Sequence, residues 1–277
     1  GNRYTYAESS PVANMFLNLK YLISRDGSYN NTYDLSEQYS AGNQKLLKNE
    51  HYIPMGFMTK SELASWQEND NEDQFNPFDT QAEFFRLATG IEESVYTPLE
   101  VVSQGHFDGS KFSVTKTDYG LYQMSCLDSS ATPYVKWNYT APEDGYYMMY
   151  ADIDGGDNVT VMQNDVSQPK SYDMGRSYIA CIGYFNKGDK ISVYSQLEQN
   201  QSGSARVYVN LFNEDVFEQG YEILSRDVMK TTKLSENEMQ GTIDVTNDGL
   251  FYTSVPYEEG WTAYVDGEKV DITPVGG

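Results

Sequence analysis

The densest cluster of oxygen ligands in this 277-residue chain is Asp152-Ile153-Asp154-Gly155-Gly156-Asp157-Asn158. Alternate acids on a glycine-rich turn can wrap a Ca²⁺ ion, which makes Asp152, Asp154 and Asp157 the candidate ligands. The glycine comes too early for an EF-hand loop and no glutamate closes it, so a polar hairpin tip is the competing reading. The two histidines, His51 and His106, lack HExxH spacing and read as surface or turn residues rather than bases. No cysteine pair has zinc spacing, and there is no Gly-x-Ser-x-Gly elbow, Walker loop or dinucleotide fingerprint. With 41 acidic side chains some close carboxylate pair is inevitable, so glycoside hydrolysis is not argued by acid count. Calcium is the one cofactor option; otherwise none is expected.

Aromatic side chains offer a second chemistry. The chain has 24 tyrosines and 19 asparagines, and tyrosine suits surfaces where one ring face is apolar and the hydroxyl is wet. Trp66, Trp261 and Tyr264 are the candidates for a carbohydrate platform. Trp137 alternates within a strand and reads as core. Ordinary packing competes with the platform reading for every tryptophan.

Charge narrows the partners. Lys plus Arg total 19 against 41 acids, a net charge of −22, with 8 bases and 16 acids in residues 1–115 and 11 and 25 thereafter. Without a basic patch, nucleic acid is excluded as a partner, and so is direct binding to anionic lipid. No apolar run reaches membrane-spanning length. Cys126 and Cys181 are too few for a disulfide scaffold and read as two buried thiols rather than one bridge.

The elements that must position these groups change character near residue 115. Upstream, helical and extended signals mix. Ser10-Pro11 opens a short amphipathic run, 20–24 reads as a buried strand, and Ser61 precedes a short helix. Residues 68–73 form an acidic loop. Asp79 or Thr80 caps a helix over 81–88 that Gly90 ends. Downstream the hydrophobic period becomes two, with turn signals between runs, which predicts an antiparallel sandwich. Residues 213–227 read as a helix with Val216, Phe217, Ile223 and Leu224 on one face. Asp266-Gly267 then joins two alternating runs as a hairpin, and 250–255 reads as a core strand. The chain stops in mid-β pattern and reads as a piece of something longer. The expected fold class is α+β: a mixed α/β part over 1–115, a jelly-roll-like β-sandwich over 116–212, and a linking helix with a C-terminal hairpin layer over 213–277.

Several stretches, in order, resemble YfhO-type bacterial membrane proteins. They include Asn18-Leu19-Lys20-Tyr21-Leu22-Ile23-Ser24, Ile53-Pro54-Met55-Gly56-Phe57 and Asn76-Pro77-Phe78-Asp79-Thr80-Gln81. Glu143-Asp144-Gly145-Tyr146-Tyr147-Met148 and the run from Val255 to Val270, which contains Gly260-Trp261-Thr262-Ala263-Tyr264-Val265-Asp266-Gly267, continue the pattern over nearly the whole chain. The resemblance implies a multi-span protein similar to GT-C glycosyltransferases, which transfer sugar from a polyprenyl-phosphate donor outside the cell. It implies a role in glycosylating lipoteichoic or wall teichoic acid, with this chain as an extracellular domain whose first part lies near the membrane. Family catalytic acids are expected outside this segment, so no catalytic residue is assigned. The implied partners are the protein's own transmembrane region and a glycan or teichoic acid acceptor, although −22 would repel a polyanion. A carbohydrate-binding module proper and a structural or protein-contact domain are the competing readings.

Overall fold

Proline at the first position of a helix sacrifices no hydrogen bond, because that amide has no partner there in any case. In the computed structural model, which describes residues 10–25, 32–67, 75–106, 108–173 and 178–275, helix α1 spans Pro11–Phe16. Three antiparallel strands follow, β1 (Tyr21–Ser24), β2 (Leu35–Ala41) and β3 (Gln44–Asn49), in the order β1-β3-β2. The strand expected at 20–24 is present but is not buried: it is a sheet edge, and Ile23 is 68% exposed. After β4 (Phe57–Thr59), Ser61–Ser65 forms a 3-10 turn in which Lys60, not Ser61, takes the capping position. The acidic loop at 68–73 lies outside the described residues. Helix α2 runs Pro77–Thr89 and starts earlier than the pattern suggested. Its cap is Asn76, whose side-chain oxygen accepts from the Phe78 amide at 3.1 Å, not Asp79 or Thr80. Gly90 ends it at φ 76, a left-handed value that glycine takes without strain.

The sandwich occupies Tyr96–Phe212 and forms one compact unit. Its strands are β5 (Tyr96–Pro98), β6 (Ser103–His106), β7 (Phe112–Asp118), β8 (Leu121–Cys126), β9 (Tyr134–Thr140) and β10 (Gly145–Ile153). They continue with β11 (Gly156–Gln163), β12 (Val166–Asp173), β13 (Ala180–Phe185), β14 (Lys190–Leu197) and β15 (Gly203–Phe212). One sheet has the order β13-β10-β15-β8-β7, with β5 also on β15; the other has the order β12-β11-β14-β9-β6. Every pairing is antiparallel. Alternation explains the packing. Val135, Trp137 and Tyr139 of β9 meet Ile191 and Val193 of β14, Tyr147 and Met149 of β10, and Val207 and Val209 of β15 in one core.

This boundary differs from the one expected at 115. β5 pairs with β15, and β6 pairs with β9, so residues well upstream of 115 already belong to the sandwich. Those strands have three and four residues, too few to display a period. The remaining segments, Pro11–Val95 and Asn213–Gly277, form a second unit together rather than two separate layers.

In that second unit α3 (Glu214–Leu224) is followed by β16 (Lys230–Leu234), β17 (Met239–Thr242) and β18 (Leu250–Tyr252). β18 pairs with β4, across almost two hundred residues. It is shorter than the core strand expected at 250–255, and Phe251 is 39% exposed. β19 (Ala263–Val265) and β20 (Glu268–Val270) form the expected hairpin, with Asp266 and Gly267 both at positive φ as a type I′ turn requires. Gly220 lets α3 approach α2: a Cβ there would lie 2.1 Å from the Phe85 ring.

His51 is not a surface residue. It is 9% exposed, stacked on Tyr33 at 5.3 Å between ring centroids, with Nε2 2.7 Å from Glu218 Oε1. The Tyr33 hydroxyl donates to the same oxygen. Period-based reading misses such burial, because His51 lies in a turn between strands and its partners arrive from α3 and from Tyr33 ahead of β2.

The sandwich core carries a cost. The Tyr139 hydroxyl, the Tyr122 hydroxyl and Trp137 Nε1 are buried without a hydrogen-bond partner among the described residues. Burial holds the Tyr139 phenol well above its usual pKa, so it stays protonated. An unpaired buried hydroxyl destabilises, and removing it relieves that penalty. Tyr139→Phe is therefore expected to increase unfolding free energy by about 1 kcal/mol in urea denaturation. A loss of that size would mean instead that the hydroxyl has a partner.

Candidate functional site

The period that buries Trp137 turns its neighbours outward. On the outer face of the β12-β11-β14-β9-β6 sheet, register sets Thr160 of β11 opposite Tyr194 of β14, and Tyr194 opposite Lys136 of β9. Gln196 sits opposite Tyr134. Tyr134 and Tyr194 are thus diagonal neighbours, and their rings lie 5.6 Å apart at 33°. The Tyr194 hydroxyl donates to Gln196 Oε1 at 3.0 Å, while Gln196 Nε2 donates to the Pro133 carbonyl at 2.7 Å. This relay fixes the Tyr194 ring. Partial burial and then the neighbouring Tyr134 raise the Tyr194 pKa, so its hydroxyl remains a donor.

Beside Tyr194 lies a cavity of about 330 Å³. Asp157, Asn158, Thr160, Gln196 and Glu198 line it with Tyr194. Its size falls at the small end of ligand pockets, which run roughly 300–1,000 Å³. The β11–β14 register shifts between Gly156 and Val159, a bulge that carries Asp157 and Asn158 to the rim. Gly156 is needed there, since a Cβ would come 2.7 Å from Ser195 Oγ. The wall is completed by the Glu198 amide, which donates to the Gly155 carbonyl at 2.9 Å. Asp157, Asn158, Thr160 and Glu198 make no side-chain hydrogen bond or ion pair with the described residues.

Positive charge on this face is already matched. Lys136 and Lys190 approach the same Asp165 oxygen at 3.2 and 2.8 Å. Hydrogen bonds from Lys190 and then Lys136 hold the Asp165 carboxyl below its usual pKa. Asn164 and Asp165 form the hairpin tip at positive φ, 51° and 66°. Near that tip Asp189 accepts from Asn164 Nδ2 at 2.7 Å, from the Asn186 amide at 2.9 Å and from Gln163 Nε2 at 2.7 Å.

The residues singled out from sequence are not brought together. Asp152 pairs with Arg206 at 3.1 Å, and Asp154 accepts from the Ser204 amide and hydroxyl at 2.7 and 3.0 Å. Only Asp157 reaches the cavity. Asp152, outward on β10, and Asp154, in the turn after it, work as cross-strand ties, and no group of three or more metal-binding side chains occurs among the described residues. The calcium set is thus not assembled. Trp66, Trp261 and Tyr264 all lie in the second unit and share no ring contact. Trp66 is half-buried with its ring edge-on to Phe84 at 5.2 Å, Trp261 is half-buried in a turn, and Tyr264 is 64% exposed on β19. Trp137 is fully buried. His106 is half-buried on β6 against Phe112. Cys126 and Cys181 are unbridged, as expected, but half-buried rather than buried. Sequence reading missed Tyr134, Thr160, Tyr194 and Gln196, although the outward phase of the first three was present in the alternation of 134–139, 159–162 and 190–195.

The sequence matches the family described as bacterial membrane protein YfhO over residues 1–276. The chain belongs to the YfhO family. No helix of this YfhO chain, among the described residues, is long and apolar enough to cross a membrane. No curated protein matches it. Among solved structures it is similar to a family 35 carbohydrate-binding module from Clostridium thermocellum, with 14% identity, 43% of this chain and 98% of that one covered, and a TM-score of 0.29. A family 35 module from Paenibacillus barcinonensis gives 9% identity, 42% and 97% coverage and a TM-score of 0.28. An exo-β-1,3-galactanase from Phanerochaete chrysosporium gives 14% identity, 43% and 29% coverage and a TM-score of 0.25. At these scores the likenesses carry no argument about ligands.

Asp189 supplies a pH test of the scaffold. Its donors depress the folded-state pKa to about 2, against 3.8 for a free carboxyl. The ionised form is thus favoured by folding, and the stabilisation is full above the unfolded value and lost as pH falls toward about 2. Asp189→Asn should unfold at lower urea than the parent chain at pH 7, with the gap closing between pH 4 and pH 2. A gap independent of pH would contradict this.

Proposed function

We propose that this chain is a non-catalytic accessory domain on the extracellular face of a membrane-embedded, glycosyltransferase-like protein, where it holds a glycan acceptor during glycosylation of a cell-wall polymer such as lipoteichoic or teichoic acid. Bond-making is assigned to the membrane part. The observation that carries the reading is the Tyr134–Tyr194 pair beside a cavity edged by a free amide, a free hydroxyl and free carboxylates. A tyrosine ring offers an apolar face to a sugar ring, and amide and hydroxyl groups match its hydroxyls as both donors and acceptors. Membership in a family of bacterial membrane proteins supports the placement at a membrane.

One observation favours a second reading. Asp157 and Glu198 line the same cavity, and glycoside hydrolysis needs two carboxyl groups flanking one bond. The two readings differ in turnover: the accessory domain releases no product from a glycan, and a hydrolase does.

A glycan array and calorimetry on the 277-residue chain test the proposal. Binding of an oligosaccharide without cleavage is expected, and Tyr194→Ala should weaken it about tenfold, near 1.4 kcal/mol. In intact cells carrying the full membrane protein, a membrane-impermeant label should reach this domain. Absence of binding across the array, or cleavage by the isolated chain, would overturn the accessory role.

A further inference from the structure

We infer that the cavity beside Tyr194 selects a sugar unit bearing a protonated amine over neutral or phosphate-bearing units. This rests on the glycan-holding reading above and specifies the ligand class. Two carboxylates, Asp157 and Glu198, line the cavity, and both are exposed and free of any cation in the described residues.

The neutralising cations are elsewhere. Lys136 and Lys190 are both held by Asp165, and among the described residues no lysine or arginine lines the cavity. The remaining lining groups, Asn158, Thr160, Tyr194 and Gln196, are neutral and suit sugar hydroxyls. An ammonium group in this setting gains charge-assisted hydrogen bonds to carboxylates that have no other partner. A phosphate meets the opposite field, reinforced by a chain carrying −22. The acceptor polymer is therefore engaged through an amine-bearing unit and not through an anionic backbone.

The ring platform and the carboxylates divide the work. Tyr194 and Tyr134 supply affinity that any pyranose can use, and Asp157 and Glu198 supply discrimination between substituents. The carboxylates are solvent-exposed, so the discrimination is modest and falls with salt.

Calorimetric titration of the 277-residue chain at pH 6 with three probes tests this. The probes are the β-1,4-linked glucosamine tetramer, its fully N-acetylated counterpart, and a poly(glycerol phosphate) chain. The amine tetramer is expected to bind about three- to tenfold more tightly than the acetylated one at 20 mM salt, with the ratio shrinking at 500 mM. In the Asp157→Asn/Glu198→Gln double variant that ratio should fall to about one, whatever the absolute affinities. A ratio of one in the parent chain overturns the amine selection and leaves glycan holding intact. A ratio undiminished in the double variant assigns the preference to the chain's overall charge, and overturns it too. Tight binding of the phosphate polymer also overturns it, and failure of all three probes to bind sinks this inference together with the reading beneath it.

Discussion

The two-residue repeat of the extended backbone couples the buried and exposed halves of this molecule. A strand that must bury Val135, Trp137 and Tyr139 has no choice but to turn Tyr134, Lys136 and Asn138 to its other side, where they are half-buried. The same holds for Val193 and Tyr194 on the neighbouring strand. A slip of one residue would exchange the two sets, and core packing forbids it. The outer face is therefore held in place by hydrophobic burial, without a dedicated scaffold. The partnerless Tyr139 and Tyr122 hydroxyls show that this core tolerates polar cost to keep large rings in position.

Departures from the regular ladder are where binding geometry arises. The bulge between Gly156 and Val159 opens the edge of the face, and Gly155 and Gly156 permit backbone that a side chain would block. Asp154 holds the adjoining strand through Ser204, and Gln196 ties the tyrosine platform to the loop before β9. Asp154 and Gln196 are satisfied by these contacts. The polar groups left over, Asp157, Asn158, Thr160 and Glu198, converge on the cavity.

The second unit is built on a different constraint. Its two segments are separated by the whole sandwich in sequence, yet β18 pairs with β4, and His51 meets Glu218 of α3 at 2.7 Å. Asp34 is buried in the same unit, where Asn14 Nδ2 donates at 2.6 Å and Thr32 Oγ1 at 2.9 Å. Burial raises its pKa and these donors, together with His51, oppose that rise. Buried polar contacts of this kind tie chain-distant segments with more geometric specificity than apolar contacts alone.

Alternation, turn residues and charge made much of this protein legible before its structure. The antiparallel strands over 134–139 and 190–195, the Asp266-Gly267 hairpin, the glycine at the end of α2 and the core position of Trp137 all follow from local rules that need no partner. Short strands such as β5 and β6 escaped, because three or four residues show no period and their membership depends on a neighbour's edge. The cavity escaped for a related reason. Tyr134, Asn158 and Tyr194 lie on three strands, and sequence distance hides what cross-strand register makes adjacent. The aspartate cluster misled because spacing along a chain does not state which carboxylates are already hydrogen-bonded. By itself, then, the sequence determined which side chains face outward, through a repeat fixed by backbone geometry. Only the tertiary structure decided which outward groups meet, because strand pairing and bulges depend on contacts between residues far apart in the chain.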